Sequence, residues 1–336
     1  MKILVTGCAG YIGATFTYKA LLEGYDVVGV DSLICSNPRE IQKIHNDFPK
    51  KFTFIKEDLA ESCDLVAKAL RNNSIEAVIH FAGLKAVNES EIMPLLYWSN
   101  NVGGTINLLK MMEMNGIKKI IFSSSATVYG DSNNQPVCEK TDLKPVSVYG
   151  NTKVTIENLL HDLTKQNKVK AVALRYFNPV GAHKEKKIFE NPNVGSNNLM
   201  PKIVRVALNL DDSLSVHGSD YDTRDGTGER DYIHIDDLVE GHFKALDYLS
   251  YSDNFEIFNL GTGRSYSVID IIETFKKVNQ VDIKYSLSER REGDVPICYA
   301  NCNKAKKVLG WKAKRNLETM CKDTWDAVKA YRNEFK

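Results

Sequence analysis

The chain has 336 residues, of which 43% are hydrophobic and 26% are charged, and its 44 Lys and Arg nearly balance its 43 Asp and Glu. This length allows two lobes with a substantial core. The balanced charge, without a long block of one sign, excludes an electrostatic basis for binding nucleic acid or a membrane surface, so we expect a small-molecule partner.

The seven cysteines are odd in number, scattered, and never arranged as Cys-x-x-Cys. This distribution argues against a disulfide framework and against a zinc site, and reduced thiols favour a cytoplasmic protein without a metal. The apolar run at the N-terminus stops after three residues and is followed by glycines, so we interpret it as a strand and not as a secretory leader. No segment approaches the ~18 apolar residues of a membrane-spanning helix.

Short β-rich segments alternate with longer helical patterns through the first half of the chain. Strands are predicted at 3–6, 26–30, 53–55, 77–80, 119–123 and 171–175. Helices, with apolar residues three and four apart, are predicted at 14–23, 62–72, 94–115 and 151–167. Strict alternation of strand and helix is typical of βαβ units, so we predict an α/β fold with a doubly wound parallel sheet of the Rossmann type.

The alternation weakens after residue 175. Segments 182–198 and 218–229 are polar and predict loops, while strands are predicted at 230–234 and 255–260 and helices at 268–278 and 317–331. We therefore expect a Rossmann domain at 1–177, to which residues 230–262 return. A smaller mixed α/β domain at 178–336 would bind the substrate.

A glycine-rich turn, Gly7-Cys8-Ala9-Gly10-Tyr11-Ile12-Gly13, joins the first strand to the first helix. Glycines let the backbone approach a pyrophosphate, whose charge the helix N-terminus favours. Asp31 ends the second strand, where a carboxylate can accept hydrogen bonds from an adenosine ribose diol and would repel a 2′-phosphate. The nearest following cation is Arg39, so these residues predict NAD and not NADP.

Further cofactor contacts are expected where neighbouring strands end. Ser32 follows the second strand, and Asp58 and Leu59 follow the third. Asp58 either contacts the adenine or caps the next helix. Phe81-Ala82-Gly83 follows the fourth strand, where a dinucleotide crosses the carboxyl ends of the sheet, although Phe81 also suits a core position.

A phenol and an ammonium, Tyr149 and Lys153, lie four residues apart and follow a serine run that ends at Ser125. On a helix, residues i and i+4 share a face, so both groups can point at one reacting centre. A buried cation beside a phenol favours the phenolate, so we expect the pKa of Tyr149 to fall below its usual value of about 10. Such a pair can take a proton from a substrate hydroxyl, although the spacing also arises by chance on amphipathic helices.

Seven segments in chain order resemble the extended short-chain dehydrogenase/reductase superfamily and, within it, the UDP-galactose (UDP-glucose) 4-epimerases. The resemblance covers nearly the whole chain. It implies an NAD-dependent isomerase of galactose metabolism that inverts C4 of a UDP-hexose through a transient 4-keto intermediate. The segments are VTGCAGYIG (5–13), HFAGLKAV (80–87), FSSSATVYG (122–130), RYFNPVGA (175–182), NNLMP (197–201), RDYIH (230–234) and RREGD (290–294).

The resemblance assigns roles to the phenol and its neighbours. Tyr149 takes the proton of the sugar 4-hydroxyl, and Ser125 hydrogen-bonds the same oxygen. Lys153 holds the nicotinamide ribose and, together with the positive nicotinamide, lowers the pKa of Tyr149. Further contacts are matched at Lys85 (cofactor and substrate), Asn100 (cofactor) and Phe177 (cofactor).

By the same resemblance, the second lobe anchors the uridine diphosphate. A guanidinium fork suits diphosphate oxygens, which supports Arg230 and Arg291 in this role. His217 stands where many relatives carry a phenylalanine near the uracil, and an imidazole can stack there while adding pH dependence. The matched nucleotide contacts are Asn178, Asn197, Asn198, Leu199, Ser215, Val216, His217, Arg230, Arg291 and Asp294.

Cys298 aligns with the position that gates the sugar pocket in this family, where bacterial-type members often place a tyrosine. A smaller residue there accompanies acceptance of 2-acetamido sugars. We therefore hypothesise that UDP-glucose/UDP-galactose and UDP-GlcNAc/UDP-GalNAc are both interconverted. The alternative is that Cys298 is an ordinary buried thiol and Tyr299 fills the space.

Other functions stay open on the sequence alone. A nucleotide-sugar 4,6-dehydratase needs an acid and a base, usually Asp-Glu, where this chain has Ala126-Thr127, which argues against dehydration. A UDP-glucuronate or UDP-pentose 4-epimerase differs mainly in what surrounds the sugar C6 carbon. A non-catalytic NAD-sensing protein is expected to have lost Tyr149 or Lys153. The resemblance also implies a homodimer formed through the helices predicted at 94–115 and 151–167.

Overall fold

The computed structural model describes residues 1–132, 134–185, 187–193, 198–291 and 293–334. The chain divides into two compact units, each assembled from three segments. The first unit contains Met1–Val128, Pro145–Arg175 and His242–Phe258. The second unit contains Tyr129–Lys144, Tyr176–Gly241 and Asn259–Lys336.

The largest sheet has seven strands and gives the first unit its framework. Numbered in chain order, they are β1 (Lys2–Thr6), β2 (Asp26–Asp31), β3 (Phe52–Lys56), β4 (Ile75–His80), β5 (Lys119–Ser125), β6 (Lys170–Tyr176) and β11 (Glu256–Leu260). Their order across the sheet is β11-β6-β5-β4-β1-β2-β3, and the pairs β1–β2, β1–β4, β2–β3 and β4–β5 are parallel. This topology confirms the predicted α/β fold with a Rossmann-type parallel sheet.

Helices connect these strands, as parallel pairing requires. They are α1 (Tyr11–Leu22), α2 (Pro38–Asp47), α3 (Asp64–Asn72), α4 (Val87–Ile92), α5 (Pro94–Tyr97), α6 (Gly104–Met114) and α7 (Val148–Lys165). A π-helical segment at Trp98–Gly103 joins α5 to α6, so the helix predicted at 94–115 is observed with an irregular middle. The sequence analysis did not predict α2 or α4, which are short and mostly exposed.

The core of the first unit explains why the strands read as apolar runs. Leu4, Val28, Val78 and Ile120 are fully buried in four adjacent strands. They pack in one cluster with side chains of α3, α6 and α7, among them Leu108. This packing holds the central strands in place, and the residues that follow each strand are therefore positioned at the carboxyl edge of the sheet.

The second unit contains short strands and five helices among its described residues. The strands are β7 (Asn178–Val180), β8 (Leu214–His217), β9 (Glu229–Arg230), β10 (Tyr232–His234), β12 (Tyr266–Ser267), β13 (Tyr285–Ser288) and β14 (Ile297–Cys298). They form the small sheets β10-β7, β12-β9-β14 and β13-β8. The helices are α8 (Leu199–Ala207), α9 (Ile235–Tyr248, which continues into the first unit), α10 (Val268–Asn279), α11 (Asn303–Leu309) and α12 (Leu317–Ala330).

A separate core holds the second unit together. The ring of Phe275 on α10 meets that of Trp325 on α12 edge to face, with centroids 5.9 Å apart. Ile203 of α8 and Val216 of β8 are buried in the same cluster. The strands here are two to four residues long, so their apolar residues are too few to show a two-residue period, which is why several of them were not predicted.

We expect Gly181→Ala to destabilise the second unit by about 3 kcal/mol or more, because two costs add. Gly181 has φ of +100°, and a Cβ there would lie 2.7 Å from Nε2 of His234. That ring cannot move away freely, because Nε2 lies 3.1 Å from the Asp323 carboxylate and Nδ1 accepts a hydrogen bond of 3.0 Å from the Asp236 backbone.

The matched control is Gly310→Ala in the same unit. Gly310 also has positive φ (+63°), but a Cβ there has open space around it, so only the backbone cost of about 1 kcal/mol applies. Urea unfolding of the two variants measures the difference. Equal destabilisation would show that the His234 ring does not constrain this turn.

Candidate active site

Helix α7 carries the Tyr149 and Lys153 side chains and is held close to the end of β5. Its N-cap is Ser147, whose Oγ accepts a hydrogen bond of 3.1 Å from the Gly150 backbone. A Cβ on Gly150 would lie 3.0 Å from the Thr127 carbonyl oxygen, which is tighter than a side chain normally tolerates. Glycine therefore lets the first turn of α7 approach the turn that follows Ser125.

Lys153 is buried and points along β5. Its Nζ donates a 2.8 Å hydrogen bond to the Ser123 carbonyl and lies 4.8 Å from the centroid of the Phe122 ring. Burial lowers the pKa of Lys153 to about 8, and the Glu157 carboxylate one helical turn away opposes this change. The ammonium is consequently present at neutral pH, but it is costly to keep in this position.

The phenol of Tyr149 behaves differently from the sequence expectation. Burial raises the pKa of Tyr149 to about 12, and a side-chain hydrogen bond with Ser125 acts in the lowering direction. The expected fall in the pKa is therefore wrong for the protein chain by itself. The reason is that burial disfavours the charged phenolate, and the Lys153 ammonium, which bonds the Ser123 carbonyl and lies 5.5 Å from the centre of the phenol ring, does not offset it.

Ser125 is oriented by the turn that follows it. Its Oγ accepts hydrogen bonds from the backbone N–H (3.2 Å) and the hydroxyl (3.0 Å) of Thr127. A serine hydroxyl has one hydrogen to donate and two lone pairs to accept with. Because the lone pairs of Ser125 are in use, its own hydrogen is the one that is donated to the Tyr149 oxygen, which is the bond direction that lowers the phenol pKa.

The glycine turn after β1 leaves no room for a side chain at Gly7 or Gly13. Gly7 has φ of +69° and donates a 2.8 Å hydrogen bond to the Val30 carbonyl at the end of β2. A Cβ on Gly13 would lie 2.0 Å from the Gly7 carbonyl oxygen, and one on Gly7 would lie 2.7 Å from the Ala82 nitrogen. The ends of β1, β2 and β4 thus meet at one edge of the sheet, where backbone can approach a bound dinucleotide.

Asp31 ties this turn to the loop after β2. Its carboxylate accepts hydrogen bonds from the backbones of Ala9 (2.9 Å) and Leu33 (2.8 Å) and from the Ser36 hydroxyl (2.7 Å). These bonds take three of the roughly four acceptor positions of a carboxylate. One position is left for a ribose hydroxyl, so the geometry fits the dinucleotide site that the sequence predicts.

Asp58 does not cap helix α3. Its Oδ1 accepts a 2.9 Å hydrogen bond from the Ala60 backbone and shapes the turn after β3. Glu57 takes the cap role, because its two carboxylate oxygens accept from the backbones of Leu65 (2.9 Å) and Val66 (2.8 Å). Of the two roles proposed for Asp58, the helix cap is therefore wrong, and its partly exposed side chain stays a candidate adenine contact.

The other predicted cofactor residues lie in several environments. The Phe81 ring packs against Phe16 and His242, with centroid distances of 5.6 and 5.0 Å, so the packing role considered for Phe81 is observed. Leu59 is buried, and so is Phe177, which belongs to the second unit. Half-buried or exposed positions at the carboxyl edge are Gly10, Tyr11, Ile12, Ser32, Ala82, Gly83, Lys85 and Asn100.

A buried polar network that the sequence analysis did not predict links β1, β4, the π-helical segment, α6 and α7. Nδ1 of His80 lies 2.7 Å from the Thr6 hydroxyl, and Nε2 lies 2.9 Å from the Thr105 hydroxyl, which donates to the Asn101 carbonyl (2.5 Å). The Asn101 amide then donates to the Thr152 hydroxyl (3.1 Å). Burial lowers the pKa of His80 to about 3, so the imidazole is neutral and serves as a hydrogen-bonding link.

In the second unit, Asp294 lies between the two arginines that were matched to a diphosphate. Its Oδ2 accepts a 3.0 Å hydrogen bond from Nε of Arg291, and its Oδ1 lies 4.0 Å from Nη2 of Arg230. Nη1 of Arg230 donates to the Glu229 carbonyl (2.9 Å). Each guanidinium has five N–H donors, so both keep donors for an anionic ligand.

Asp231 connects the strands beside this cluster through hydrogen bonds. The sequence analysis did not predict a role for this residue. Its carboxylate accepts hydrogen bonds from the hydroxyl (2.6 Å) and backbone (2.8 Å) of Thr262 and from the backbones of Gly263 (2.9 Å) and Ala300 (3.1 Å). Burial raises the pKa of Asp231 to about 6, against the lowering effect of these donors. Its own backbone N–H bonds the Cys298 carbonyl, which aligns β14 with β9.

Cys298 and His217 are both uncharged at neutral pH. Cys298 is buried next to Arg230 in the β14–β9 pair, and burial raises the pKa of its thiol to about 11. His217 ends β8, with Nδ1 3.0 Å from the Ser288 hydroxyl. Burial, and next the Arg291 charge, lower the pKa of His217, which moves any pH dependence of this residue further into the acid range.

The remaining predicted nucleotide contacts are mostly accessible. Asn178 is exposed in β7, Ser215 is exposed in β8, and Val216 is buried beside it. Asn198 immediately precedes α8, which begins at Leu199, and its amide donates to the Glu190 carboxylate (2.9 Å). Asn197 lies outside the described residues.

The described residues contain neither a membrane-spanning helix nor a metal-binding cluster. No helix there is long and apolar enough to cross a membrane. No group of three or more His, Cys, Asp or Glu side chains there is arranged to hold a metal ion.

Comparison with known proteins places this geometry in a family. The family model described as GDP-mannose 4,6 dehydratase matches residues 4–324. A UDP-glucose 4-epimerase from Bacillus subtilis (strain 168) is 46% identical over 337 residues, which cover 100% of this chain and 99% of the relative.

Two solved structures share the fold over nearly the full length. A UDP-glucose 4-epimerase from Stenotrophomonas maltophila, with bound NAD and formylated UDP-arabinopyranose, has a TM-score of 0.95 at 39% identity. One from Bifidobacterium longum, in complex with NAD+ and UDP, has a TM-score of 0.94 at 39% identity. Both alignments cover 99% of each chain. The chain therefore belongs to the UDP-glucose 4-epimerase family of the extended short-chain dehydrogenase/reductase superfamily.

Proposed function

We propose that this protein is an NAD-dependent isomerase that inverts C4 of UDP-hexoses and interconverts UDP-glucose and UDP-galactose in galactose metabolism. The observation that carries the proposal is the docking of α7 on β5, which brings Tyr149, Lys153 and the end of the Ser123-Ser124-Ser125 run together. The names of the full-length relatives support the same activity.

The first unit supplies what NAD binding needs. The glycine turn admits a pyrophosphate, and Asp31 offers a ribose its one remaining acceptor position. When bound there, NAD would supply a reversible hydride acceptor for the sugar C4, so that the reaction would have no net redox change. Related structures hold NAD, which supports the assignment.

The residues of this chain handle the proton. Tyr149 removes the proton of the sugar 4-hydroxyl and returns it after C4 is inverted. Ser125 donates its hydroxyl hydrogen to the same oxygen, in place of the Tyr149 oxygen that it bonds in the free chain, and stabilises the charge that develops there. Lys153 holds a positive charge 5.5 Å from the centre of the phenol ring, and this charge favours the phenolate against the effect of burial.

The second unit anchors the nucleotide. Arg230 and Arg291, steadied by Asp294, suit a diphosphate because a guanidinium donates two parallel hydrogen bonds to oxyanions. A strong anchor is needed because the 4-keto sugar must rotate to present its opposite face while its nucleotide stays bound. The Bifidobacterium longum relative was solved with UDP, which supports this role.

Dehydration is disfavoured, although the matching family model carries a dehydratase description. Ala126 and Thr127 occupy the positions where a 4,6-dehydratase needs an acid and a base. Ala126 has no ionisable group, and the Thr127 hydroxyl is hydrogen-bonded to Ser125. Nothing specific favours a UDP-glucuronate or UDP-pentose substrate or a non-catalytic role, since both Tyr149 and Lys153 are retained.

We expect the purified protein to convert UDP-galactose to UDP-glucose, and Tyr149→Phe and Lys153→Met to lower kcat at least about a hundredfold. Boiling should release NAD, and substrate should raise absorbance from bound NADH. Conversion assays with four UDP-sugars in parallel measure the activity. NAD release without any conversion would contradict the proposal and identify a cofactor-binding protein.

Loss of folding cannot explain the expected effect of Lys153→Met. Burial lowers the pKa of Lys153 to about 8, so the folded state binds this proton less tightly than the unfolded chain. The charge therefore opposes folding below pH 8, and this cost disappears as the pH rises toward the unfolded value. We expect the thermal midpoint of Lys153→Met at pH 7 to be no lower than that of the wild type.

We further propose that UDP-GlcNAc and UDP-GalNAc are also substrates. Cys298 is small and buried, with its side chain in register with Arg230. Tyr299 is held by its backbone, which donates to Gln135 (3.1 Å) and accepts from Val137 (3.0 Å). These bonds oppose a movement of Tyr299 into the space beside Cys298.

Cys298→Tyr should lower kcat/KM for UDP-GalNAc at least about tenfold while that for UDP-galactose changes less than about threefold. A phenol at this position takes the room that the 2-acetamido group needs. Cys302→Ala, which removes another thiol of the second unit, should leave the ratio unchanged. Absence of any UDP-GlcNAc from wild-type enzyme and UDP-GalNAc would overturn the proposal.

All seven cysteines are free thiols, which also supports a cytoplasmic enzyme.

We propose in addition that the enzyme is a homodimer. The segment around α4 and α5 exposes large apolar side chains, of which Leu95 is 83% and Ile92 80% accessible, and Met93, Leu96 and Trp98 are also exposed. Isolated proteins rarely expose so many together, and a second copy of the same helices would cover them.

Leu95→Glu should shift the protein from dimer to monomer at micromolar concentration, because a carboxylate is costly to bury in an apolar interface. Sedimentation velocity measures the change. Leu65→Glu, which adds the same charge at an exposed leucine of α3, should stay dimeric. A wild type that sediments as a monomer would contradict the homodimer.

A further inference from the structure

We propose that Glu157 is a positioning residue for the reaction, which locks α7 onto β5 and β6 and supplies the counter-charge of Lys153. The inference concerns the site of the proposed function and rests on it only for the kinetic part of its test. Neither the family comparison nor the sequence motifs assign a role to Glu157.

One carboxylate bridges three elements. Oε1 of Glu157 accepts hydrogen bonds from the Ser124 hydroxyl (2.5 Å) and from Nε of Arg175 (3.0 Å), and Oε2 accepts from Nη2 of Arg175 (2.6 Å). Both charged side chains are almost fully buried, at 2% and 1% exposure. Such a pair stabilises a protein poorly compared with apolar residues of the same size, so its presence calls for a reason other than stability.

The position of Glu157 on α7 supplies that reason. Tyr149, Lys153 and Glu157 are spaced at i, i+4 and i+8, so they share one face of the helix. Each meets a different residue of the same serine run: Tyr149 interacts with Ser125, Lys153 bonds the Ser123 carbonyl, and Glu157 bonds the Ser124 hydroxyl. A shift of α7 along β5 would break all three contacts together.

Glu157 also acts on the charge of Lys153. It is the group that opposes the effect of burial on the pKa of Lys153. The other ionisable groups around the ammonium are Tyr149 on α7, neutral His80 on β4 and Arg175 on β6, whose charge is paired with Glu157. Glu157 is thus the anion that favours the ammonium among the described groups, and the paired Arg175 fixes where it stands.

A purely structural ion pair makes a different prediction. If Glu157 and Arg175 only held the fold together, their removal would lower stability and leave kcat of the folded enzyme unchanged. If Glu157 positions the site, kcat falls, and the proton affinity of Lys153 falls with it because the carboxylate that favours the ammonium is lost. The two cases are therefore separated by measuring kcat of the folded variant, while the titration of Lys153 tests the counter-charge.

The test uses Glu157→Gln/Arg175→Met in the intact holoenzyme. Glu157→Gln alone would deprive the buried Arg175 guanidinium of this counter-charge and destabilise the fold, whereas the double variant removes both charges. Lysine labelled with 13C at Cε is titrated by NMR, with Lys153→Met identifying the signal. We expect the pKa of Lys153 to fall by about one unit and kcat to fall about tenfold, with KM within about twofold.

Two further variants sharpen the result. Ser124→Ala removes one donor to Glu157 but keeps both charges, so kcat should fall about threefold while the Lys153 titration stays near that of the wild type. Arg205→Met/Asp211→Asn removes a bidentate ion pair of the second unit and should change neither quantity.

An unchanged Lys153 titration in the Glu157→Gln/Arg175→Met enzyme would overturn the proposal, whatever happens to its stability. An unchanged kcat would overturn it as well. The titration needs no substrate, so it still decides the electrostatic part if the wild-type protein fails to epimerise UDP-galactose. That failure would instead refute the proposed function.

Discussion

The site takes its geometry from the way α7 lies against β5. Gly150 removes the side chain that would hold the helix away from the Thr127 carbonyl, and Lys153 then reaches the Ser123 carbonyl at 2.8 Å. The same approach places Tyr149 beside Ser125. Because β5 is a central strand of a seven-stranded sheet, its end cannot shift without disturbing a closely packed core. The contacts with β5 therefore hold Tyr149 and Lys153 in fixed positions.

Keeping ionisable groups in this position costs free energy, and the chain offsets that cost locally. Burial alone makes Lys153 a weaker base and Tyr149 a weaker acid, which is the opposite of what proton abstraction needs. Glu157 acts against burial through its charge, and Ser125 acts against it through a hydrogen bond. The chain by itself therefore holds the phenol neutral at physiological pH. This is consistent with an acid–base pair that becomes active only when the cofactor and substrate are bound.

How far the sequence predicted the structure depends on the length of each element. Long helices of the first unit, such as α1 and α7, were predicted within a few residues, because their periodicity is readable over ten or more positions. The short strands of the second unit were not all predicted, since two to four residues carry no period. Asp31 and the glycine turn were located correctly beside each other because parallel strands end at one edge of the sheet. The roles of the individual site residues stay predictions.

By itself, the sequence determined the fold class, the candidate dinucleotide turn and the identity of the Tyr–Lys pair, because these follow from local spacing and from strand order. Only the tertiary structure decided the direction in which the pKa of Tyr149 moves, since burial is a property of the packed protein and Lys153 turns toward a backbone carbonyl. The structure alone also revealed Glu157, Asp231 and the His80 network. Their hydrogen-bond partners lie up to 74 positions away in the chain, and no local sequence pattern predicts such contacts.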